Sequence, residues 1–333
     1  MKRYNFVVFG NPADYYSVSY SDVLNREDVC YADGHRKLKS KCLTVLKQVH
    51  FSYSLNTKIN LPLKKLWNSS LYFKDEFKEK RPLCFLVFSR REDLFEHGVI
   101  QYMRRKYPDA KFVCFFQDLI EQHKRFPLES IRDQFDLVLS FDQADCAKHG
   151  LTYYPLVYSP VPQEVLRSDL PESDVFFVGK AKDRLEEILE AYRVLRDAGL
   201  RCDFHITGVA PENQQYANEI HYCTQMPYAQ NLKHIYKTRC LLEIMQQGGS
   251  GYTLRMCEAI MLDKKLLTNN PTVTAAPYYS PDRIQTFCTA EQIDPEFVRS
   301  GAKDVDYGWK EELSPMKMLQ FIEDYFERNG SHG

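Results

Sequence analysis

Residues 245–270, MQQGGSGYTLRMCEAIMLDKKLLTNN, combine residue types that suit the binding of a charged ligand. Gly248, Gly249 and Gly251 leave backbone N–H groups free to come close to a bulky group. A helix predicted from Thr253 would direct the positive end of its dipole to the same place. The spacing predicts an anion-binding loop, and the alternative is a plain turn.

Arg255 and Glu258 lie in the first two turns of this predicted helix. A guanidinium can bind phosphate through two parallel hydrogen bonds. A carboxylate one turn later can accept two hydrogen bonds from a ribose diol. The alternative is an ion pair on the helix surface at i,i+3 spacing.

A second basic loop lies in FFVGKAKDR, residues 176–184, where Gly179 ends a predicted strand. Lys180, Lys182 and Arg184 stand just before a predicted helix, where cations oppose the helix dipole at a cost of a few tenths of a kcal/mol, roughly, per group. An anionic ligand would offset this cost, whereas the alternative is a solvated basic face. The two loops follow strands of the same half, and together they favour a diphosphate ligand.

The first half of the chain offers candidates for acid–base chemistry. Asp118 ends the predicted strand KFVCFFQD, and Asp14 follows the first predicted strand. Either carboxylate could deprotonate an attacking hydroxyl, although Asp118 also suits a helix N-cap and Asp14 a turn. Tyr15 and Tyr16, with Tyr20, follow Asp14 and have aromatic faces that could stack on a ligand.

Composition restricts the function classes. The 333 residues suit two domains, and a net charge of -1 gives no overall basic field for nucleic acid or an anionic membrane. The start, MKRYNFVVFG, is interpreted as a strand and not a signal peptide, and the sequence contains no apolar run of about 20 residues. Ten cysteines without a CxxC pair predict reduced thiols in a cytoplasmic protein.

Strands alternate with helices along both halves, which predicts parallel sheets with helices on both faces. Residues 159–173, with three prolines, are the best linker candidate. We therefore expect an α/β protein with two Rossmann-like domains, 1–165 and 166–312, and a C-terminal helix in 313–333 that crosses back to the first. Predicted strands are 5–10, 82–89, 110–118, 136–142, 174–179, 201–209, 240–246 and 264–270; predicted helices are 94–108, 143–150, 183–199, 228–239, 253–263 and 314–330.

The stretches GGSGYTLRMCEAIMLDKKLLTNN, DVFFVGKAKDRL and FDLVLSFDQADCAKHGLTYYPLVYS resemble GT-B glycosyltransferases, in particular those of bacterial lipopolysaccharide, capsule and exopolysaccharide assembly. The resemblance covers about residues 135–270. It implies that Glu258 binds the nucleotide ribose and that Lys180 and Arg184 bind the diphosphate. Retaining enzymes of this fold usually carry another Glu at the position of Ser250, and its absence argues against a retaining mechanism of the usual type.

The resemblance thus implies transfer of a sugar from a nucleotide-sugar donor to a glycan or lipid-linked acceptor, with no cofactor or metal, in the cytoplasm or at the inner face of the membrane. The donor loop would comprise Gly249, Ser250, Gly251, Tyr252 and Thr253. On the acceptor side, Tyr15 and Tyr16, with Tyr20, would stack on sugar faces. Two alternatives are a sugar-nucleotide epimerase with the same two-domain plan and a non-catalytic partner subunit.

Other signatures are weak. The triplet DVD at 304–306 matches a metal-binding pair of a different glycosyltransferase fold, but three letters near the C-terminus are close to chance. Neither GxGxxG after the first strand nor GxxxxGK[ST] occurs, so the dehydrogenase and P-loop fingerprints are absent from the sequence.

Overall fold

Two six-stranded parallel sheets form the centres of two α/β halves. The structure, a computed structural model, describes residues 3–10, 15–32, 34–35, 40–50, 52, 55, 59, 61–73, 76–95, 98–123, 127–246, 251 and 253–330. In this described part, no helix has the length and apolar character needed to span a membrane.

The first sheet has the strand order β2-β1-β5-β6-β7-β8, and every pairing in it is parallel. Its central strands are mostly apolar, as expected for a sheet that is covered on both faces. On β6, for example, Val113 and Phe115 enter one core and Phe112, Cys114 and Phe116 enter the other. The strands are β1 (Asn5–Phe9), β2 (Val29–Tyr31), β5 (Leu83–Phe88), β6 (Lys111–Phe116), β7 (Leu137–Ser140) and β8 (Thr152–Tyr153), and a separate antiparallel pair comprises β3 (Gly34–His35) and β4 (Leu71–Tyr72).

The second sheet has the order β11-β10-β9-β12-β13-β14, again all parallel. Its strands are β9 (Ser173–Lys180), β10 (Cys202–Thr207), β11 (His221–Cys223), β12 (Thr238–Glu243), β13 (Lys265–Thr268) and β14 (Ile284–Thr286). The order reverses between β9 and β12, and this is the dinucleotide-binding topology. Ligands of such sheets bind outside the carboxyl ends of the strands at the reversal point.

Helices pack on the faces of both sheets. In the described residues they are α1 (Tyr16–Ser19), α2 (Ser21–Leu24), α3 (Lys41–His50), α4 (Glu92–Phe95), α5 (Val99–Lys106), α6 (Leu128–Ile131), α7 (Gln143–His149), α8 (Gln163–Leu166), α9 (Leu185–Asp197), α10 (Tyr228–Lys237), α11 (Leu254–Met261), α12 (Pro295–Arg299) and α13 (Pro315–Gly330). Short 3-10 turns lie at Lys64–Ser70, Ile120–Gln122, Arg132–Gln134, Pro211–Asn213, Pro271–Ala275, Ala290–Gln292 and Lys310–Leu313.

The chain passes between the halves twice, and the two crossings are bonded to each other. The N–H of Tyr158 donates to the carbonyl of Leu313 at 2.7 Å. The carboxylate of Asp22, from the first half, accepts from the hydroxyls of both Ser159 and Ser314. Asp22 thus holds both crossings against the first half.

The C-terminal helix α13 packs on the first sheet. Met318 and Ile322 belong to the core beneath that sheet. The carboxylate of Glu323 accepts from the backbone N–H groups of Arg3 at 2.7 Å and Tyr4 at 3.1 Å. The last helix therefore completes the first half, although the second half precedes it in the sequence.

The predicted strands are present, most with shorter ends, but two segments differ from expectation. The helix expected over 94–108 is divided into α4 and α5, because Gly98 adopts a left-handed conformation (φ +70°) at the start of α5. The linker candidate 159–173 contains α8, and its Leu166 is buried in the core of the second half. This connection is therefore packed along part of its length.

Candidate functional site

A cleft of about 380 Å³ lies between the halves, where loops from both sheets meet. From the second half it is lined by the ends of β9 and β12, which flank the point where the strand order reverses, and by the start of α11. Described residues that line it are Tyr15, Ser19, Gln117, Asp118, Leu119, Phe141, Leu156, Val157, Phe177, Val178, Arg184, Leu242, Glu243, Ile244, Met245, Gln246, Thr253, Leu254 and Arg255.

Arg184 supplies a positive charge to the cleft. Its guanidinium donates to the carbonyls of Ile244 and Lys180, and no described carboxylate forms a salt bridge with it. Burial lowers its pKa, because water is removed from the charged form. An anion in the cleft would give this guanidinium a direct ion-pair partner.

Arg255 supplies a second positive charge, and its guanidinium is fixed by a buried carboxylate and a backbone carbonyl. Nη1 contacts Glu258 Oε2 at 2.6 Å and Nη2 donates to the carbonyl of Val178 at 3.1 Å. Glu258 is only 1% exposed, and its Oε1 accepts from Tyr228 at 2.8 Å and Asn231 at 2.9 Å. The i,i+3 pair exists, but it is buried and not on the surface.

The structure does not bring the Glu258 carboxylate to the cleft wall, where ribose contact would require it. Burial raises the pKa of Glu258, and the charge of Arg255 acts in the opposite direction. In this arrangement, Glu258 fixes the direction in which Arg255 points.

Glu243, which was not predicted from the sequence, lies on β12, one of the two strands that flank the strand-order reversal. It ends β12, lines the cleft and is 5% exposed. The hydroxyls of Thr253 and Thr268 donate to its two oxygens. Burial raises its pKa, and these two hydrogen bonds lower it by less. A Glu after the apolar run CLL, at a strand end, was the available signal.

Thr253 begins α11 as its N-cap. Its hydroxyl oxygen accepts from the N–H of Met256 at 3.2 Å while its proton goes to Glu243. The predicted helix start is therefore correct, and its positive end lies at the cleft.

Gly251 is the one residue of the glycine cluster that lies within the described part of the chain. It has φ +88°, and a Cβ there would stand 3.3 Å from the carbonyl oxygen of Phe141 in the other half. Its own carbonyl accepts from the side chain of Asn270 at 3.0 Å. The positive φ thus favours glycine at this position, and the close Phe141 carbonyl leaves little room for a side chain. Gly248, Gly249, Ser250 and Tyr252 lie outside the described residues.

The opposite wall carries Asp118 and Tyr15. Asp118 forms an ion pair with Arg90 at 2.6 Å, and the adjacent 3-10 turn begins at Ile120, whose N–H donates to Asp145. The geometry therefore gives Asp118 no capping role there. The second candidate base, Asp14, lies outside the described residues.

Tyr15 reaches across to the second half, with its ring 5.8 Å from that of Tyr228. Burial raises its pKa to about 12, so its hydroxyl stays protonated. Tyr16 and Tyr20, by contrast, are each 1% exposed and belong to the core of the first half. Of the three tyrosines, Tyr15 alone faces the cleft.

Other predicted residues lie beside the cleft or far from it. Lys180 is exposed and is not among the residues that line the cleft. In the DVD triplet, Asp304 pairs with Lys264 at 2.7 Å and Asp306 accepts from the N–H of Gly308 at 2.9 Å. These two carboxylates have local structural roles.

The two Rossmann-like halves with their shared cleft have the GT-B architecture, so the predicted fold class is confirmed. No family model and no curated protein sequence matches the chain.

Solved structures of similar fold exist at low sequence identity. Sucrose-phosphate synthase from Thermosynechococcus elongatus is 9% identical, with 99% of this chain and 100% of that chain covered and a TM-score of 0.49. An α,α-trehalose 6-phosphate synthase from Burkholderia multivorans is 10% identical, with 100% of both chains covered and a TM-score of 0.49. A glycosyltransferase involved in avilamycin A biosynthesis is 12% identical, with 71% and 91% covered and a TM-score of 0.43.

Proposed function

We propose that the chain is a glycosyltransferase that moves a sugar from a nucleotide-sugar donor to an acceptor hydroxyl. The observation that carries this proposal is the composition of the cleft. Its second-half wall has two guanidinium groups and a helix N-terminus at the strand-order reversal, and its first-half wall has a carboxylate and a tyrosine.

Leaving-group stabilisation is assigned to the second half. Arg184, Arg255 and the N-terminal amides of α11 would bind the diphosphate and stabilise the negative charge that grows on it as the sugar departs. Lys180, exposed at the end of β9, would add to this field from the rim. This set of charges needs no metal ion on the diphosphate. Glu258 acts as a positioning residue for Arg255.

Acceptor activation is assigned to the first half. Asp118, which lies beside Arg90, would take the proton of the attacking hydroxyl in an inverting reaction. Tyr15 would form the wall against the acceptor sugar.

Assembly of a bacterial surface glycan, with a glycan or lipid-linked acceptor, is the setting we propose. The sequence resemblance supports it. All ten cysteines lie in the described residues as free thiols, which is in keeping with the cytoplasmic location that we propose. We further propose that the protein associates peripherally with the inner face of the membrane.

A nucleotide screen tests the donor half of the proposal. We expect one of UDP, GDP, CDP and ADP to raise the unfolding temperature, since a ligand at a hundred times its dissociation constant adds about 2.7 kcal/mol of stability. Arg184→Gln should remove that shift, and Arg193→Gln, an exposed site on α9, should keep it. No shift with any nucleotide would contradict the proposal.

Product analysis with the matching nucleotide-sugar alone separates the alternatives. A transferase at most slowly hydrolyses its donor, whereas an epimerase converts the sugar without an acceptor. A nucleotide that binds without turnover in the presence of any acceptor would indicate a non-catalytic partner subunit.

A further inference from the structure

Four titratable side chains gather on one face of the second sheet, and none of them is among the residues that line the cleft. Asp203 and His205 are two positions apart on β10, so their side chains lie on the same face of the sheet. His221 on β11 is the direct partner of His205 in the parallel register, so it lies beside it on that face. His234 approaches from α10, which packs above.

Three of these side chains converge in a manner suited to a metal ion. Asp203, His205 and His221 each offer one ligand atom, and these atoms all lie within 4.8 Å of one another. Nε2 of His205 lies 2.8 Å from Oδ1 of Asp203, and the rings of His205 and His221 stack at 4.7 Å. Ligand atoms around a tetrahedral zinc ion stand about 3.3 Å apart, given bonds of about 2.0–2.1 Å. Small side-chain rotations would therefore reach that geometry.

His234 supplies the outer support that metal-binding carboxylates usually have. Its Nδ1 donates to Oδ2 of Asp203 at 2.6 Å, which leaves Oδ1 directed at His205. Nε2 of His234 is buried and has no hydrogen-bond partner within the described structure. The polar contact that fixes this ring is therefore the one to Asp203.

We propose that Asp203, His205 and His221 bind one divalent transition-metal ion of the zinc class. Two imidazole nitrogens and one carboxylate oxygen are a ligand set that zinc accepts, and His221 is exposed, so solvent can reach the ion and fill its fourth position. The ion would tie the three-residue edge strand β11 to β10. This inference does not depend on the proposed function.

The site also adjoins the donor side of the cleft. The ring of Phe176 stacks on His234 at 5.4 Å, and Cζ of Arg255 lies 5.7 Å from the centre of the same ring. The ion would therefore stiffen the layer behind Arg255 and the start of the loop that follows β10. Its role is structural, because its ligands are not among the residues that line the cleft.

Titration of the full chain with zinc tests the site. After treatment with a chelator and desalting, calorimetric titration with ZnCl2 should show one saturable site. His221→Gln removes an exposed ligand without disturbing the core, and it should weaken zinc binding by about tenfold or more. His149→Gln, the same change on α7 of the other half, should bind as the unaltered chain does.

Cobalt(II) checks the ligand type, because the ten cysteines could also bind zinc. We expect visible d–d absorption without the near-ultraviolet charge-transfer band of a cobalt–thiolate bond. The proposal is overturned if no saturable zinc site exists, if His221→Gln binds zinc as tightly as the unaltered chain, or if the thiolate band appears. In the first case the four side chains form only a structural hydrogen-bond cluster.

Discussion

Substitution of Glu258 by glutamine should lower the stability of the second half by about 3 kcal/mol. Breaking a buried ion pair by removal of one partner costs about 3–5 kcal/mol, since the remaining charge stays buried. The side chain of Arg255 is 14% exposed and lines the cleft, so water can partly solvate its charge after Glu258 is replaced. We therefore use the lower end of this range. Glutamine also keeps an oxygen that can accept from Tyr228 and Asn231.

Thermal unfolding measures this effect. For a unit of about 150 residues, 3 kcal/mol corresponds to a decrease of roughly 6–12 °C in the unfolding temperature. The matched control is Glu190→Gln, an exposed change on α9, which should stay within about 0.5 kcal/mol of the unaltered chain.

Ligand binding supplies the second measurement for the same variant. If Glu258 acts through Arg255, the variant should also bind the nucleotide more weakly. A variant with an unchanged unfolding temperature and weaker nucleotide binding would refute the reasoning, because it would show that Glu258 contacts the ligand and contributes little to the fold.

Three more predictions follow from the cleft. Asp118→Asn should reduce turnover by about 10²–10⁴ without a change in donor affinity, and near-normal turnover in steady-state kinetics would exclude a general base there. Gly251→Ala should cost roughly 1–3 kcal/mol and weaken nucleotide binding, since its φ is +88° and its Cβ would approach the Phe141 carbonyl; an unchanged unfolding temperature would contradict this. Burial raises the pKa of Glu243 from 4.5, so the folded chain binds that proton more tightly than the unfolded chain, and this group's contribution to stability falls as the pH rises from 4.5 through the raised pKa. Glu243→Gln should flatten the decrease in unfolding temperature across that window, and an equally steep decrease would show that other groups cause it.

The alternation of strands and helices was sufficient to predict the fold. Apolar runs such as FVVF, LCFLVF and KFVCFF are short, are bounded by turn residues and are buried on both faces, so local pattern and tertiary structure agree. The start of α11 was also predictable, because Thr253 is a good N-cap residue before an apolar helix.

The burial of the Glu258 side chain could not be predicted from the sequence, and the reason is physical. Every residue from Met256 to Met261 is buried, so α11 has no polar face whose period would show which side chains meet solvent. The sequence showed an Arg and a Glu three residues apart, but not that the second of them lies beneath the first.

The histidine cluster was equally inaccessible from the sequence. Its members are separated by 2, 16 and 13 positions, and their meeting depends on the register that places His205 beside His221. A shift of one residue in that pairing would move one of the two rings to the opposite face of the sheet.

The bond between the two chain crossings has a mechanical consequence for the cleft. Tyr158 is bonded to Leu313, and Asp22 accepts from Ser159 and Ser314 on the same carboxylate. A relative motion of the halves that keeps these bonds would therefore be a rotation about this place. Val157, which lines the cleft and precedes Tyr158, would move little in such a rotation. Displacement in a rotation grows in proportion to the distance from the pivot. A small rotation at Asp22 would therefore change the width of the cleft most at the end that is farthest from Asp22.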